Sequence, residues 1–174
     1  MSSGRPPYPH VHRINVSDGG VPKQPVLEAR VTEKGVEGDR QRNLKVHGGA
    51  DRAVCLYSLE LLERLQDEGH PIDAGSSGEN LTVAGLEWEL IQPGVVLSVG
   101  PDVLLEVKSY TGPCSQNASW FRDGDYQRIS QKKNPGWSRV YARVLRDGVV
   151  RPGDEIIINK KSAIKDQFSV TETK

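Results

Sequence analysis

The sequence predicts a mainly β (α+β) fold, a barrel or sandwich of short strands with a few short helices. Three observations carry that expectation. Eight short runs rich in β-branched and aliphatic residues recur along the chain, Gly- and Pro-bearing turn signals separate them, and only one segment has clear helical periodicity. An α/β alternation would need a helix after most strands.

The runs are Arg13–Val16, Val26–Val31, Arg52–Leu56, Leu81–Ala84, Val95–Val99, Val103–Val107, Val140–Leu145 and Glu155–Ile158. Between them stand Asp18-Gly-Gly20, Gln92-Pro-Gly94, Gly100-Pro-Asp102, Arg146-Asp-Gly148 and Arg151-Pro-Gly-Asp154, whose residue types favour turns. Ser58 is placed to cap a helix from Leu59 to about Glu68, with Leu59, Leu62 and Leu65 on one face. Gly69 and Pro71 end it. A second, weaker helical signal runs from Asp125 to Lys133, ahead of Asn134-Pro-Gly136. Residues 1–9 read as a flexible Pro-rich leader, residues 10–159 as one domain and residues 160–174 as a polar tail.

A chain of 174 residues suffices for one domain with a real core. Lys plus Arg and Asp plus Glu each number 23, so no net charge draws the protein to nucleic acid or anionic lipid. No stretch approaches the ~20 apolar residues of a membrane span, and the leader lacks the apolar centre of a secretion signal. Two cysteines in unlike settings make no disulfide framework. The expectation is a soluble cytoplasmic protein that binds neither nucleic acid nor membrane.

Cys114 is the most informative residue. It follows the most β-like run, Val103–Val107, within Ser109-Tyr-Thr-Gly-Pro-Cys-Ser115. A strand end delivers a side chain to a fixed point, and a thiol held there serves as nucleophile, redox group or soft-metal ligand. Cys55, inside Ala53-Val-Cys-Leu-Tyr57, reads as a small core residue.

Gly35-Val-Glu-Gly-Asp-Arg-Gln-Arg-Asn43 and Val46-His-Gly-Gly-Ala-Asp-Arg-Ala-Val54 are dense in glycine and charge. Glycine lets backbone N–H groups approach an anion, and Arg40, Arg42, Lys45 and Arg52 offer charge-assisted contacts, a combination suited to a phosphate-bearing ligand. Neither a P-loop nor a dinucleotide fingerprint is present. The competing reading is a solvated loop with Asp51 and Arg52 paired structurally. Ser77-Gly-Glu-Asn-Leu81 is either a plain turn or a site where Asn80 bonds a ligand or neighbouring loop and Glu79 fixes an arginine. Zinc is discounted, since no pair-plus-pair spacing exists and His10 and His12 fall in the Pro-rich leader. His47 remains open as a catalytic partner of Cys114.

In order, Gly19-Gly-Val-Pro-Lys23, Gly35-Val-Glu-Gly-Asp-Arg40, His47-Gly-Gly-Ala-Asp-Arg-Ala-Val54, Gly78-Glu-Asn-Leu81, Pro113-Cys114 and Gly148 through Gly153-Asp154 resemble the MOSC family. That family is named for the C-terminal domain of molybdenum cofactor sulfurase. The likeness spans about Val11 to Ile158 and is nearest to small free-standing bacterial members that detoxify N-hydroxylated bases. It implies a MOSC-like β-barrel and a bound molybdenum cofactor, a pterin dithiolene with a phosphate tail. Cys114 matches the cysteine whose thiolate ligates molybdenum; a soft thiolate suits a metal already held by sulfur. Arg40 and Lys23 match positions near the pterin phosphate. His47, Gly48, Gly49, Asp51, Arg52, Asn80 and Thr111 match motifs lining the same pocket, with His47 also a catalytic candidate. At family level the likeness also implies pyridoxal phosphate binding.

The activity implied is reduction of N–O bonds in hydroxylaminopurines, amidoximes and hydroxylamines, with electrons from a separate reductase, because no ferredoxin-like or flavin segment is evident. The alternatives are a non-catalytic cofactor carrier or sulfur-transfer module using Cys114, and a metal-free thiol enzyme using Cys114 with His47. Pairing into a homodimer is left open.

Overall fold

The computed structural model describes residues 4–40 and 49–159. Eleven strands are present among them: β1 (His10–Val16), β2 (Gln24–Val26), β3 (Ala29–Thr32), β4 (Gly35–Val36), β5 (Val54–Ser58), β6 (Leu81–Ala84), β7 (Val96–Val99), β8 (Val103–Tyr110), β9 (Val140–Arg146), β10 (Gly148–Val150) and β11 (Ile156–Asn159). One α-helix, α1 (Leu59–Asp67), connects the parallel neighbours β5 and β6. The main sheet has the order β11-β7-β8-β9-β5-β6-β1-β2, and a small sheet has the order β10-β3-β4.

The predicted barrel character has a specific origin. The main sheet curls until β11, at one edge, reaches β1 near the other through an antiparallel bridge between His10 and Glu155. Val11 N–H donates to Asp154 O at 2.9 Å, and Ile156 N–H donates to Pro9 O at 2.8 Å. Closure thus rests on one bridged pair instead of a full ladder. Val11, Ile14, Leu56, Leu81, Leu97, Leu105 and Val140 are fully buried and fill the interior. Such a core of aliphatic side chains is the principal favourable term in folding.

The helix forms as its sequence demands. Ser58 Oγ accepts from the Leu61 N–H, satisfying an otherwise orphaned donor. Leu59, Leu61, Leu62 and Leu65 are all buried. No helix among the described residues is long and apolar enough to cross a membrane.

Four expectations need correction. The run Val26–Val31 is two strands, because the chain leaves the main sheet after β2 and enters the small sheet as β3; period-2 patterning cannot report a change of sheet. Arg52 closes a 3-10 turn, Ala50–Arg52, and β5 starts later, at Val54. Asp125–Lys133 is not an α-helix but a 3-10 turn, Tyr126–Ile129, with extended backbone at Ser130. Asp125 gives no side-chain cap there, and Asn134 Nδ2 donates to the Arg128 carbonyl at 3.1 Å, offering the backbone a turn instead. His10 and His12 belong to β1, and His10 is buried with Nδ1 2.9 Å from Tyr8 O.

One row of paired residues orders everything that follows. Across the sheet, Tyr110 faces Val140, Val140 faces Leu56, Leu56 faces Leu81, Leu81 faces Ile14 and Ile14 faces Val26. Arg139, Cys55 and Asn80 each precede a member of that row by one residue, Tyr141 follows one, and Cys114 lies four residues past Tyr110.

Candidate functional site

These residues converge on one cleft, about 660 Å³ when the space of its open mouth is counted. Gly20, Val21 and Lys23 come from the β1–β2 connection, Arg40 from beyond β4, and Ser77, Gly78 and Asn80 from the segment before β6. Cys55 and Tyr141 contribute from β5 and β9, and Cys114, Gln116, Asn117 and Arg139 from the segment joining β8 to β9.

Cys114 is half-buried and stands immediately before the 3-10 turn Ser115–Trp120. Its carbonyl accepts from the Asn117 N–H at 2.9 Å, which fixes the backbone, while its thiol makes no hydrogen bond among the described residues. Cys55 is the other sulfur on the cleft wall. Burial pushes its thiol up to about 11, so it stays protonated at neutral pH. The sequence marks Cys55 as a core residue; it is buried as expected, but on the wall of the site. Burial likewise pushes the Tyr141 phenol up to about 12, so it remains a neutral donor.

A sealed polar cluster adjoins Cys55 and brings Lys23 and Asn80 to the cleft wall. Asp39 accepts from Lys23 Nζ at 2.7 Å, from Asn80 Nδ2 at 2.8 Å and from the Ser17 N–H at 2.9 Å. Asn80 Oδ1 in turn accepts the Cys55 N–H at 3.0 Å. Asn80 therefore bonds a neighbouring loop, one of the two roles open to it. Glu79 fixes no arginine among the described residues: its carboxylate accepts from the Gly75 N–H, Ser77 Oγ and Thr82 Oγ1 at 2.6, 3.0 and 3.1 Å. Arg40 is solvent-exposed at the mouth, with Asp18 at 3.8 Å.

The remaining candidates lie around this cleft or elsewhere. Thr111 is buried and turned to β9, its N–H donating to the Arg139 carbonyl at 3.0 Å. Asp51 pairs with Arg143 at 3.9 Å, not with Arg52, whose guanidinium sits 5.6 Å from the ring centre of Tyr141, a residue of the cleft. Gly49 precedes the 3-10 turn holding both. His47, Gly48, Arg42 and Lys45 lie outside the described residues.

Arg139 is not singled out by the sequence, nor are Asp39, Gln116, Asn117 and Tyr141. Arg139 is 6% exposed and lines the cleft. Its one sequence signal is a charge immediately before an apolar strand, where an aliphatic residue is the usual choice.

The residues suit a molybdenum pterin dithiolene. An uncommitted soft thiol, a buried guanidinium and an exposed arginine at the mouth match a sulfur-held metal and an anionic body. Pyridoxal phosphate does not fit, because Lys23 is the only lysine of the cleft among the described residues and Asp39 holds its ammonium, leaving no amine for a Schiff base.

Comparison with known proteins agrees with this architecture. The family profile described as MOSC domain matches residues 43–157. YflK of Bacillus subtilis is 32% identical over 154 residues, covering 86% of this chain and 68% of its own length. A protein named Reductase from Gibberella moniliformis is 33% identical over 127 residues, 70% of this chain but 22% of that protein. The crystal structure of YiiM from Geobacillus stearothermophilus superposes with a TM-score of 0.67 at 27% identity, covering 87% of this chain and 75% of its own.

Proposed function

The chain belongs to the MOSC domain family, and from that premise we propose that it is a molybdenum-cofactor-dependent reductase of N-hydroxylated substrates. The observation that carries the reading is the Cys114 thiol, half-buried on the wall of an open cleft and without a hydrogen bond among the described residues. Relationship to a protein named as a reductase supports the reaction class.

When bound, the molybdenum cofactor supplies the two-electron chemistry that breaks the N–O bond. The chain's own residues do the rest. Cys114 would hold the group through sulfur, its backbone fixed by β8 on one side and the Asn117 N–H on the other. Arg40 attracts an anionic tail at the mouth. Lys23, Asp39 and Asn80 stiffen the cleft, bonded to one another and to the Cys55 N–H. Tyr141 keeps its proton and offers a neutral O–H donor to the region beside Cys55 and Cys114. The balanced reaction takes a hydroxylamine, two electrons and two protons to the amine and water, the electrons arriving from a separate reductase.

The test is turnover of 6-hydroxylaminopurine by purified, cofactor-loaded protein with an artificial reductant. Reduction to adenine at a rate proportional to bound molybdenum is expected. Tight cofactor retention without turnover would mark a carrier instead.

A further inference from the structure

Arg139 presents a charge that the fold does not answer. Its side chain is almost wholly buried, yet no carboxylate among the described residues lies within ion-pair reach of it. Nη1 donates to the Ser77 carbonyl and Nη2 to the Gly112 carbonyl at 3.3 Å, while Nε is buried without a partner. Two of the five guanidinium N–H groups are thus committed. The other buried carboxylates near the cleft are spoken for: Asp39 by Lys23, Asn80 and Ser17, and Glu79 by Gly75, Ser77 and Thr82. Asn117, also buried and on the cleft wall, donates its Nδ2 to the same Ser77 carbonyl at 3.2 Å, so two buried donors meet at one point.

A buried guanidinium held only by backbone carbonyls is costly, and that cost persists unless a negative group completes it. We propose that Arg139 is the receptor for an oxyanion of the phosphate-monoester class, bound by the guanidinium N–H groups that the Ser77 and Gly112 carbonyls leave uncommitted. A planar fork of donors matches two oxygens of a phosphate at once, which an ammonium does not do. Lys23 cannot take this role while Asp39 neutralises it, and Arg40 is too exposed to bind such a group strongly. The inference rests on the cleft being a ligand site and not on which metal Cys114 holds.

The experiment uses the cofactor-free protein and inorganic phosphate, with chloride at matched ionic strength as control. Phosphate should raise the thermal midpoint by several degrees over chloride and slow alkylation of Cys114 several-fold, since both residues line one cleft. Arg139→Met and Arg139→Gln should lose the phosphate-specific shift, and Arg139→Lys should keep part of it. Equal midpoints and equal alkylation rates in phosphate and chloride would overturn the proposal, and that comparison needs only the wild-type protein, whether or not the variants fold. So would an unchanged phosphate shift in Arg139→Met. Repeating the titration on cofactor-loaded protein separates two sources of the same chemistry: a vanished response puts the cofactor's own phosphate on Arg139, and a retained one points to a substrate-borne phosphate. None of these readouts depends on turnover, so failure here leaves the reductase reading to its own test.

Discussion

The ammonium of Lys23 lies 2.7 Å from Asp39 Oδ2, and their side chains are only 11% and 4% exposed. A pair this sheltered joins the β1–β2 connection to the segment beyond β4, and Asn80 locks it to β5 through the Cys55 N–H. Lys23 therefore belongs to the frame of the cleft before it belongs to any ligand.

Removing one partner should expose that role. Lys23→Met is expected to destabilise the protein by about 3–5 kcal/mol, because it strands the Asp39 carboxylate in a buried position. Urea denaturation of the cofactor-free protein measures it. A loss under about 1 kcal/mol, of the size seen for surface pairs, would show the cluster to be hydrated.

Asn80→Ala should cost about 1–3 kcal/mol, since it removes one donor to Asp39 and the acceptor of a buried backbone N–H. Amide hydrogen exchange at Cys55 should accelerate more than at Leu56. Uniform acceleration along β5 would argue for global loosening instead of a lost local bond.

The two thiols should behave differently toward an alkylating agent. Near pH 7.5 in native protein, Cys114 should react and Cys55 should not, because burial keeps Cys55 protonated and inaccessible. Peptide mapping after brief iodoacetamide treatment decides it. Cys55 labelled first would mean that the roles of the two sulfurs are reversed.

Cys114→Ser should retain little molybdenum when produced in a host that makes the cofactor, an alcohol being a hard and poorly ionised substitute. Elemental analysis per mole of protein reads this directly. Wild-type molybdenum content in that variant would remove Cys114 as a ligand.

Much of this was legible in the residues, and what was not follows from distance in sequence. Ser58 and the Leu59, Leu62 and Leu65 stripe announced α1 because capping and helical spacing act within a few residues. Cys114 was legible as a thiol set just past a strand. Arg139 was not, since its meaning lies in a buried Nε that finds no partner among the described residues, which only the packed structure reveals. Asp39 was hidden likewise, being one of several charges in its segment until Lys23 and Asn80 arrive from 16 and 41 residues away. The bridge between His10 and Glu155 joins chain ends that no local pattern relates.

Stability should fall on the alkaline side for a reason traceable to Cys55. Its thiol titrates near 9.0 when unfolded and at about 11 in the folded protein, because burial disfavours the thiolate. Below pH 9 both states hold the proton, so the burial contributes in full. Between pH 9 and about 11 the unfolded chain releases its proton while the folded one keeps it, so stability declines as pH rises. The whole decline amounts to roughly 3 kcal/mol, at about 1.4 kcal/mol for each pH unit crossed. Tyr141, raised from 10.0 to about 12 by burial, extends the decline upward in the same direction. Urea midpoints at half-unit steps from about pH 8 to 10.5 for wild type and Cys55→Ala check this. The variant should start lower at pH 8, having lost buried sulfur, and fall less steeply between pH 9 and 10; parallel curves would show that Cys55 does not set the slope.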